Sequence, residues 1–390
     1  MPISPLSCPG PTTMPDLPPL RLTGAEVLLP GGFAHEALSI SGGRIAGEGG
    51  RDVDLSGYRI LPGIIDLHGD GFERHMAPRR GAVETPAMGL AALDAECAAC
   101  GITTAMLAQF WSWEGGMRGP AFAAALAEAL DAAETLTDMD LQLRVETHML
   151  DTLDAMQALV ARHAIRYVVW NDHLPHRELA AGKRPPRLTG QALKSGRSPE
   201  AHEALLQALH ANAPQVMAAL ADVARDFRAK GVRMGSHDDH RAADRDMFRA
   251  IGADICEFPE TLEAARAAKS AGEPVIMGAP NVVRGGSHNG KIAAETLIEA
   301  GLVDALVSDY HYPSLGRAAV KLSARHGWPA AWDLVSGGPA RVIGWTDRGH
   351  IAEGLRADLV ILDDAGRVAG TIAGGRVSQI SGALAVRWLA

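Results

Sequence analysis

Apolar and polar residues alternate in short runs near both ends of the chain, and glycine pairs such as Gly31-Gly32 separate these runs. A period of two between glycine turns is typical of β-hairpins, in which one face is buried and the other is solvated. We therefore predict a small β-sandwich domain formed from both chain ends, residues 20–60 and 345–390. The proline-rich residues 1–19 lack the basic segment and the apolar segment of a secretory signal, and we expect them to form a flexible tail.

The middle of the chain, residues 61–344, has a different pattern, in which short continuous apolar runs alternate with longer segments of helical period. Continuous apolar runs are typical of parallel strands that are buried on both faces. After a first strand that begins at Ile60, the predicted strands are Thr103–Phe110, Leu141–His148, Tyr167–Trp170, Val232–Ser236, Ile255–Phe258, Val275–Gly278 and Ala305–Val307. The predicted helices include Ala87–Ala99, Pro120–Leu136, Leu153–His163 and a long helix at Pro199–Lys230.

Eight strands with helices between most of them predict an α/β fold, a (β/α)8 TIM-like barrel over residues 61–344. An open, doubly wound sheet is the alternative. Such a sheet calls for a glycine-rich phosphate-binding turn after its first strand, and the segment from His68 to Gly71 does not match that pattern. The barrel is therefore the preferred architecture.

Side chains that bind metals follow most of the predicted barrel strands, at the end where a barrel gathers its loops into one mouth. Imidazole and carboxylate groups together suit zinc or manganese. We predict a site for one or two divalent ions, zinc in the first place and manganese as the alternative, with these ligands: His68, Asp70, Glu146, His173 and His237. His68 and Asp70, which project to one face of a strand, are assigned to one ion, and Glu146 bridges or coordinates. His173 and His237 are assigned to the second ion. Asp309 follows the last strand and is assigned as the general base.

Other polar residues at the strand ends have simpler predicted roles. His148 and Asp172 are expected to orient the metal ligands. Asp238 and Asp239 are expected to cap the following helix. Glu257 is expected to pair with an arginine.

Two aromatic residues and two cysteines near these segments are assigned to the core. Trp111 and Trp113 could pack on a sugar or a base, but core packing is the simpler use of a tryptophan. Cys97 and Cys100 form a C-x-x-C pattern within a predicted helix, with no second pair nearby. We interpret them as packed thiols and not as metal ligands.

A glycine-rich loop, Gly278–Lys291, follows the seventh predicted strand and concentrates hydrogen-bond donors in an otherwise acidic chain. Its glycines allow close approach of the backbone to a ligand, and its side chains suit phosphate oxygens. Together with donors after the first strand, the predicted substrate-binding residues are Arg74, His75, Arg79, Arg284, Ser287, His288 and Lys291, with Arg80 beside them. The alternative is an ordinary flexible loop.

Composition limits the kinds of partner that the protein can bind and the compartment in which we expect it. The chain has 390 residues, of which 47% are hydrophobic and 21% charged, with a formal net charge of −9. This charge argues against binding to nucleic acid or to an acidic membrane surface. Four cysteines in a chain of this size are not a disulfide framework, and no run of about 18 apolar residues is present. We therefore expect a cytoplasmic protein without nucleic-acid or membrane partners. The glycine-rich loop predicts a small phosphorylated molecule as the partner, and a homo-oligomer is a separate prediction.

The motifs together resemble the amidohydrolase superfamily, chiefly through the opening LPGIIDLHGD and the closing GLRADLVILD. More narrowly, the chain resembles the α-D-ribose 1-methylphosphonate 5-triphosphate diphosphatases of carbon–phosphorus lyase pathways. The similar motifs are HGDGFERHMAPR, ETH, DH, SHDD, EFPET, GAPNVVRGGSHNGK and SDY. The resemblance implies a metal-dependent hydrolase that releases pyrophosphate from a triphosphate ester and leaves a ribose 5-phosphate.

Two segments depart from the family pattern, both at the predicted mouth of the barrel. The chain reads LPHRELAAGKRPPRLTG after His173, and His311-Tyr312-Pro313 after Tyr310. Because loops at the mouth decide what is bound, hydrolysis of a C–N bond in a small anionic substrate, by an amidase or a deaminase, is the alternative function. A non-enzymatic binding protein is a third reading, and the retained metal ligands and Asp309 argue against it.

Overall fold

A computed structural model describes residues 18–79, 85–287 and 290–390. The predicted tail up to residue 17, together with Arg80 and His288, lies outside the described residues. No helix within these ranges is long and apolar enough to cross a bilayer.

Both chain ends contribute to a β-sandwich, as the alternating patterns predicted. The N-terminal strands are β1 (Leu20–Thr23), β2 (Glu26–Leu29), β3 (Gly32–Ala34), β4 (Leu38–Ser41), β5 (Arg44–Ala46), β6 (Arg51–Asp54) and β7 (Arg59–Pro62). One sheet has the order β5-β4-β1-β6. In the other sheet, β7 pairs in antiparallel fashion with a strand of the C-terminal segment, so that Leu61 lies opposite Val360. Apolar side chains from both sheets, Leu22 and Ile361 among them, share one core.

The central sheet is a barrel of eight parallel strands in sequential order. Its strands are β8 (Ile64–Gly69), β9 (Ile102–Trp111), β10 (Asp138–Glu146), β11 (Tyr167–Asn171), β12 (Arg233–His237), β13 (Ile255–Glu257), β14 (Val275–Gly278) and β15 (Ala305–Val307). A parallel bridge between Gly69 and Asp309 brings the last strand back to the first. Alternate residues such as Leu67, Met106 and Val169 fill the interior. The (β/α)8 prediction is therefore confirmed.

The chain then returns to the sandwich through β16 (Leu359–Leu362), β17 (Val368–Ala373) and β18 (Arg376–Ile380). These strands complete the second sheet in the order β18-β17-β16-β7-β2-β3. The domain borders near residues 60 and 345 stay predictions.

Helices cover the outside of the barrel. The longest predicted helix is wrong, because it is not continuous. The helices are α1 (Glu73–Met76), α2 (Pro86–Ala99), α3 (Pro120–Ala132), α4 (Leu153–Arg162), α5 (His176–Ala180), α6 (Leu188–Lys194), α7 (Pro199–Ala211), α8 (Ala213–Ala229), α9 (Ala242–Ala250), α10 (Leu262–Ser270), α11 (Ala279–Arg284), α12 (Ala294–Glu299), α13 (Ser314–His326), α14 (Trp328–Asp333), α15 (Gly337–Ile343) and α16 (Gly382–Leu389). The predicted helix Pro199–Lys230 is two helices that break at Asn212. Pro214 has no N–H to donate, so it fits the first turn of a new helix but not the interior of a continuous one.

The tryptophans and cysteines are placed as predicted. Trp111 and Trp113 are buried in the core around the barrel. Cys97 and Cys100 are free thiols, and Cys97 is fully buried. Core packing is therefore confirmed for the tryptophans.

The backbone is strained at the ends of the barrel strands. Asp238, Phe258 and Asp309 have φ angles of 63°, 50° and 54°, a region that residues other than glycine rarely adopt. The N–H of Asp238 donates to the carbonyl of Glu257 at 3.0 Å, and the N–H of Asp309 donates to the carbonyl of His68 at 2.9 Å. Strain of this kind gathers where a side chain must point into a site, and it persists because neighbouring strands fix the backbone.

Candidate active site

A cavity of about 310 Å³ lies at the C-terminal ends of the barrel strands. The predicted ligands Asp70, His173 and His237 line it together with Asp309. The other predicted ligands, His68 and Glu146, are at most 1% exposed. A larger cavity of about 680 Å³ lies near Trp332 and Trp345, away from these groups and mainly against apolar side chains, so the smaller cavity is the candidate site.

His68 lies at the end of β8 and has the arrangement of a prepared metal ligand. Its Nδ1 contacts Glu257 Oε2 at 2.9 Å. Because an ionised carboxylate only accepts hydrogen bonds, this contact places the ring proton on Nδ1 and leaves the lone pair on Nε2. His68 Nε2 is buried and has no hydrogen-bond partner. A buried nitrogen of this kind fits a metal ion, and carboxylates commonly hold metal-binding histidines in this way.

Glu257 holds His68 and pairs with no arginine of the described ranges, so the predicted arginine pair is wrong. Its Oε1 accepts hydrogen bonds from Gln142 Nε2 at 2.5 Å and from the hydroxyl of Tyr167 at 2.7 Å. The side chain points into the barrel, where these polar groups and His68 surround it. Glu257 is therefore a positioning residue.

Replacing Glu257 with Gln is expected to weaken metal binding by about 10- to 100-fold, because the charged acceptor that fixes the His68 ring is lost. Calorimetric titration of the metal-free protein with zinc measures this change. Glu299→Gln, on the surface of α12, is the matched control and should bind zinc as the wild type does. Equal affinity for both variants would contradict the positioning role.

Glu146 and His173 form a second coupled pair. His173 Nδ1 contacts Glu146 Oε1 at 2.5 Å, and the backbone N–H of His173 donates to Oε2 at 3.1 Å. Trp113 Nε1 also donates to Glu146 Oε2, at 3.2 Å. Glu146 thus orients His173 here, and its predicted coordination of an ion stays a prediction.

His237 lies between the other two histidines and belongs to two groups of possible ligands. Ligand atoms of His68, His237 and Glu257 lie within 4.8 Å of one another, and so do those of His173, His237 and Asp238. Burial lowers the pKa of His237 to about 4, so the ring is neutral and able to donate a lone pair at neutral pH. In the first group Glu257 holds the His68 ring, which leaves the two imidazoles as donors. In the second group, two imidazoles and the Asp238 carboxylate are a donor set that fits a divalent ion.

The predicted capping role of Asp238 and Asp239 is wrong. Asp238 lines the cavity, with Oδ2 at 3.4 Å from His237 Nδ1. Asp239 is buried, where it accepts hydrogen bonds from the Ser236 hydroxyl and from Arg245. Helix α9 is instead capped by its own Asp244, which accepts from the backbone N–H of Arg241. Asp238 is therefore a cavity residue that the sequence pattern did not reveal.

The carboxylates of Asp70 and Asp309 face the same cavity. Burial and the neighbouring charge of Asp70 raise the pKa of Asp309 to about 6. A carboxylate with a pKa in this range can both take up and release a proton near neutral pH, which suits a general base. The predicted role of Asp309 stays a prediction, and the geometry supports it.

Arg144 is a cavity residue that the sequence reading missed. It lies on β10, 4% exposed, with Nη2 at 3.2 Å from His237 Nε2 and Nη1 at 3.7 Å from Asp70 Oδ2. Its guanidinium carbon also stacks at 4.0 Å from the centre of the Phe110 ring. Arg118 reaches the same ring at 4.4 Å and lines the same cavity. These cations therefore lie beside the candidate metal ligands.

The predicted substrate-binding residues divide into two sets. Arg284, Ser287 and Lys291 line the cavity. Arg284 Nη2 donates to the hydroxyl of Tyr310 at 2.8 Å, and Lys291 pairs with Glu260 and lies 3.4 Å from Asp238 Oδ1.

The donors after the first barrel strand lie elsewhere. Arg74 and His75 are bound to Glu96 on α2, and neither lines the cavity. Arg79 is exposed. The structure therefore brings the glycine-rich loop to the site, but not these residues.

His148 and Asp172 do not contact the predicted ligands as expected. Neither side chain has a hydrogen bond to His68, Glu146 or His237 within the described part of the chain. His148 Nδ1 lies 3.6 Å from Asp172 Oδ1 instead, and both line a different cavity. Sequence adjacency to Glu146 and His173 did not reveal this, because β10 ends at Glu146 and β11 ends at Asn171, so strand alternation no longer sets the direction of the side chains that follow.

Comparison with known proteins places the chain in a family. A model of the amidohydrolase family matches residues 186–378. The α-D-ribose 1-methylphosphonate 5-triphosphate diphosphatase of Escherichia coli K12 is 35% identical over 319 residues, which cover 79% of this chain and 84% of that protein.

Solved structures with a similar fold include enzymes with other substrates. The N-acetylglucosamine-6-phosphate deacetylase of Pasteurella multocida has a TM-score of 0.62 at 12% identity, covering 93% of this chain and 100% of that one. A triazine hydrolase variant has a TM-score of 0.60 at 14% identity, covering 96% and 98%. At this identity the likeness shows the fold alone.

Proposed function

This chain belongs to the amidohydrolase family and is a hydrolase, and we propose that it releases pyrophosphate from a ribose 5-triphosphate that carries a phosphonate at C1. The observation that carries the proposal is the concentration of cations around the cavity, in a chain whose net charge is −9. Arg118, Arg144, Arg284 and Lys291 all line it, next to the candidate metal ligands. Guanidinium and ammonium groups are the side chains that bind phosphate oxygens. The relative in Escherichia coli supports the same substrate class.

In the proposed reaction, the oxygen of water attacks the α-phosphorus, and the bond from that phosphorus to the bridging oxygen breaks. Pyrophosphate leaves, and the 5-phosphate ester remains on the ribose. Asp309 takes the proton from the attacking water, for which its carboxylate is suited because it lines the cavity and has a pKa raised to about 6. The proton of the water thus passes to Asp309, its oxygen stays on the 5-phosphate, and the bridging oxygen leaves with pyrophosphate.

The chain's own residues hold the reacting groups in place. His68, His173 and His237, with the carboxylates around them, would hold one or two divalent ions, proposed to be zinc, with manganese as the alternative. Such an ion supplies Lewis-acid charge when bound. Lys291 pairs with Glu260 now, so a polyphosphate must compete with that carboxylate for it.

Arg144 is expected to stabilise the charge that builds up on the phosphoryl oxygens. Arg144→Met should lower kcat/KM by about 100-fold, the usual cost of one charged donor in a preorganised site. Arg144→Lys should recover part of the loss, because the charge remains while the planar fork is lost. Steady-state kinetics of both variants, with folding checked by circular dichroism, measures this. Wild-type kinetics in Arg144→Met would contradict the role.

Phosphorus NMR of the metal-reconstituted protein with α-D-ribose 1-methylphosphonate 5-triphosphate tests the proposed function. We expect the pyrophosphate resonance to appear, and chelation to abolish it. Inert substrate, with metal demonstrably bound, would overturn the proposal and direct attention to C–N hydrolysis. The segment after His173, which forms a neighbouring cavity wall with Pro186, Arg187 and Lys194, would then be the part that determines the substrate.

The proposed setting is the cytoplasm. Cys97, Cys100 and Cys256 are free thiols, as in proteins of reducing compartments. The proposed partner is the small phosphorylated substrate alone, and homo-oligomer formation stays a prediction.

A further inference from the structure

A second group of side chains that can serve as metal ligands lies beside the candidate active site. It consists of His148, just after β10, Asp172, just after β11, and His176, the first residue of α5. Ligand atoms of these residues lie within 4.8 Å of one another. Asp172 Oδ2 is 2.9 Å from His176 Nε2, and Asp172 Oδ1 is 3.6 Å from His148 Nδ1. These distances bracket the spacing of neighbouring ligands around a tetrahedral ion, roughly 3.3 Å for bonds of about 2.0 Å.

A fourth residue, His210 near the end of α7, supports this group. His210 Nδ1 lies 2.7 Å from His176 Nδ1. Two ring nitrogens at this distance share one proton, so one is the donor and the other the acceptor. Without an ion, His210 donates to His176 Nδ1, and the Nε2–H of His176 donates to Asp172 Oδ2 at 2.9 Å. An ion that replaces the Nε2 proton would reverse the first of these bonds, so that the Nδ1–H of His176 donates to His210. With a metal ion there, His210 holds the second nitrogen of a ligand, as partners of metal-binding histidines commonly do.

The group lines a neighbouring cavity, which shares His173, His237 and Asp238 with the candidate active site. A space of about 630 Å³ is lined by His148, Asp172 and His176. Asp172 does not line the candidate active site, whereas His173, the next residue, lines both cavities. The side chain of His148 is 6% exposed, and those of Asp172 and His176 are 37% and 35% exposed. An ion can therefore reach the group from solvent and find one buried ligand already in place.

We propose that His148, Asp172 and His176 bind one divalent transition metal ion, in addition to the ions of the catalytic cavity. Two imidazoles and a carboxylate are a donor set for zinc, nickel or copper, and not for calcium or magnesium, which prefer oxygen ligands. The ion fixes residues 172–176, the segment that carries His173. Its binding does not depend on which bond the enzyme cleaves.

Metal content measures this site without any activity assay. Wild type, His176→Ala and His148→Ala are dialysed against one zinc buffer, and zinc per chain is determined by mass spectrometry. We expect one equivalent less in each variant than in the wild type. His163→Ala is the matched control, because His163 Nδ1 pairs with Asp131 at 2.7 Å and belongs to no group of possible ligands among the residues that the structure describes. Zinc content equal to that of the wild type in His176→Ala would overturn the proposal.

Anomalous diffraction at the zinc edge gives an independent measurement on the wild-type protein, and it does not depend on whether a variant folds. A peak among His148, Asp172 and His176 supports the site. No peak there, in crystals whose catalytic cavity holds zinc, would overturn it. Failure of the phosphorus NMR experiment would leave both readouts unchanged, so the proposed function and this site are tested separately.

Discussion

Replacing Asp309 with Asn is expected to lower turnover by about 1,000-fold while the protein keeps its metal, because a carboxamide cannot take the proton from the attacking water. The side chain is nearly isosteric, so the shape of the cavity is kept. The strained backbone at this position, with φ at 54°, also tolerates Asn better than most residues. The loss should therefore appear in kcat and not in folding.

Steady-state kinetics and zinc analysis of the same preparation separate the two effects. Asp304→Asn is the matched control, since Asp304 precedes the same strand at its other end and pairs with Lys269 at 2.8 Å. That variant should keep wild-type turnover. Asp309→Asn with near-normal kcat would remove Asp309 from its role as general base, and loss of zinc in the same variant would make it a ligand instead.

The residues that meet at the ends of the barrel strands could be predicted from the sequence, because the strand topology alone brings them together. Once the strands are parallel and sequential, whatever follows them meets at one mouth. This is why Asp70, His173, His237 and Asp309, which are far apart in the chain, line one cavity. Their positions depend on the order of strands and not on details of packing.

Arg144 was missed because it lies within a barrel strand and not at its end. Gln142, Arg144 and Glu146 alternate with apolar residues in the second half of β10, so they share the face that points into the barrel. A search of the strand ends alone finds Glu146 but not Gln142 or Arg144. Polar residues with a period of two inside a buried strand are thus a second signal for a site.

Partners across the barrel could not be predicted at all. Glu257 binds His68, 189 residues away in the chain, and Asp239 accepts from the side chain of Arg245 within the following helix instead of capping that helix. The sequence suggested an arginine as the partner of Glu257 and a helix cap as the role of Asp239, because nothing local identifies the true partner of either carboxylate. Such pairings follow from three-dimensional distances, since a buried charge is stable only beside a partner.

The second large effect is expected at His237, which the two groups of possible ligands share. In the His237→Ala variant, a moderate concentration of a chelator should remove the bound zinc, and turnover should fall to background. The loss of a single ligand is more damaging here than at His173, because neither group is complete without it. Arg144 would also lose the acceptor that lies 3.2 Å from its Nη2.

His240→Ala is the control for this change. His240 follows the same strand by three residues, but its side chain is 63% exposed and pairs with Glu260. Zinc retention is measured during titration with a chelating dye, and turnover is measured with zinc added back in excess. We expect His240→Ala to match the wild type in both. Full zinc retention by His237→Ala would place the ions elsewhere in the mouth, whereas recovery of turnover in excess zinc would show that His237 acts only through metal affinity.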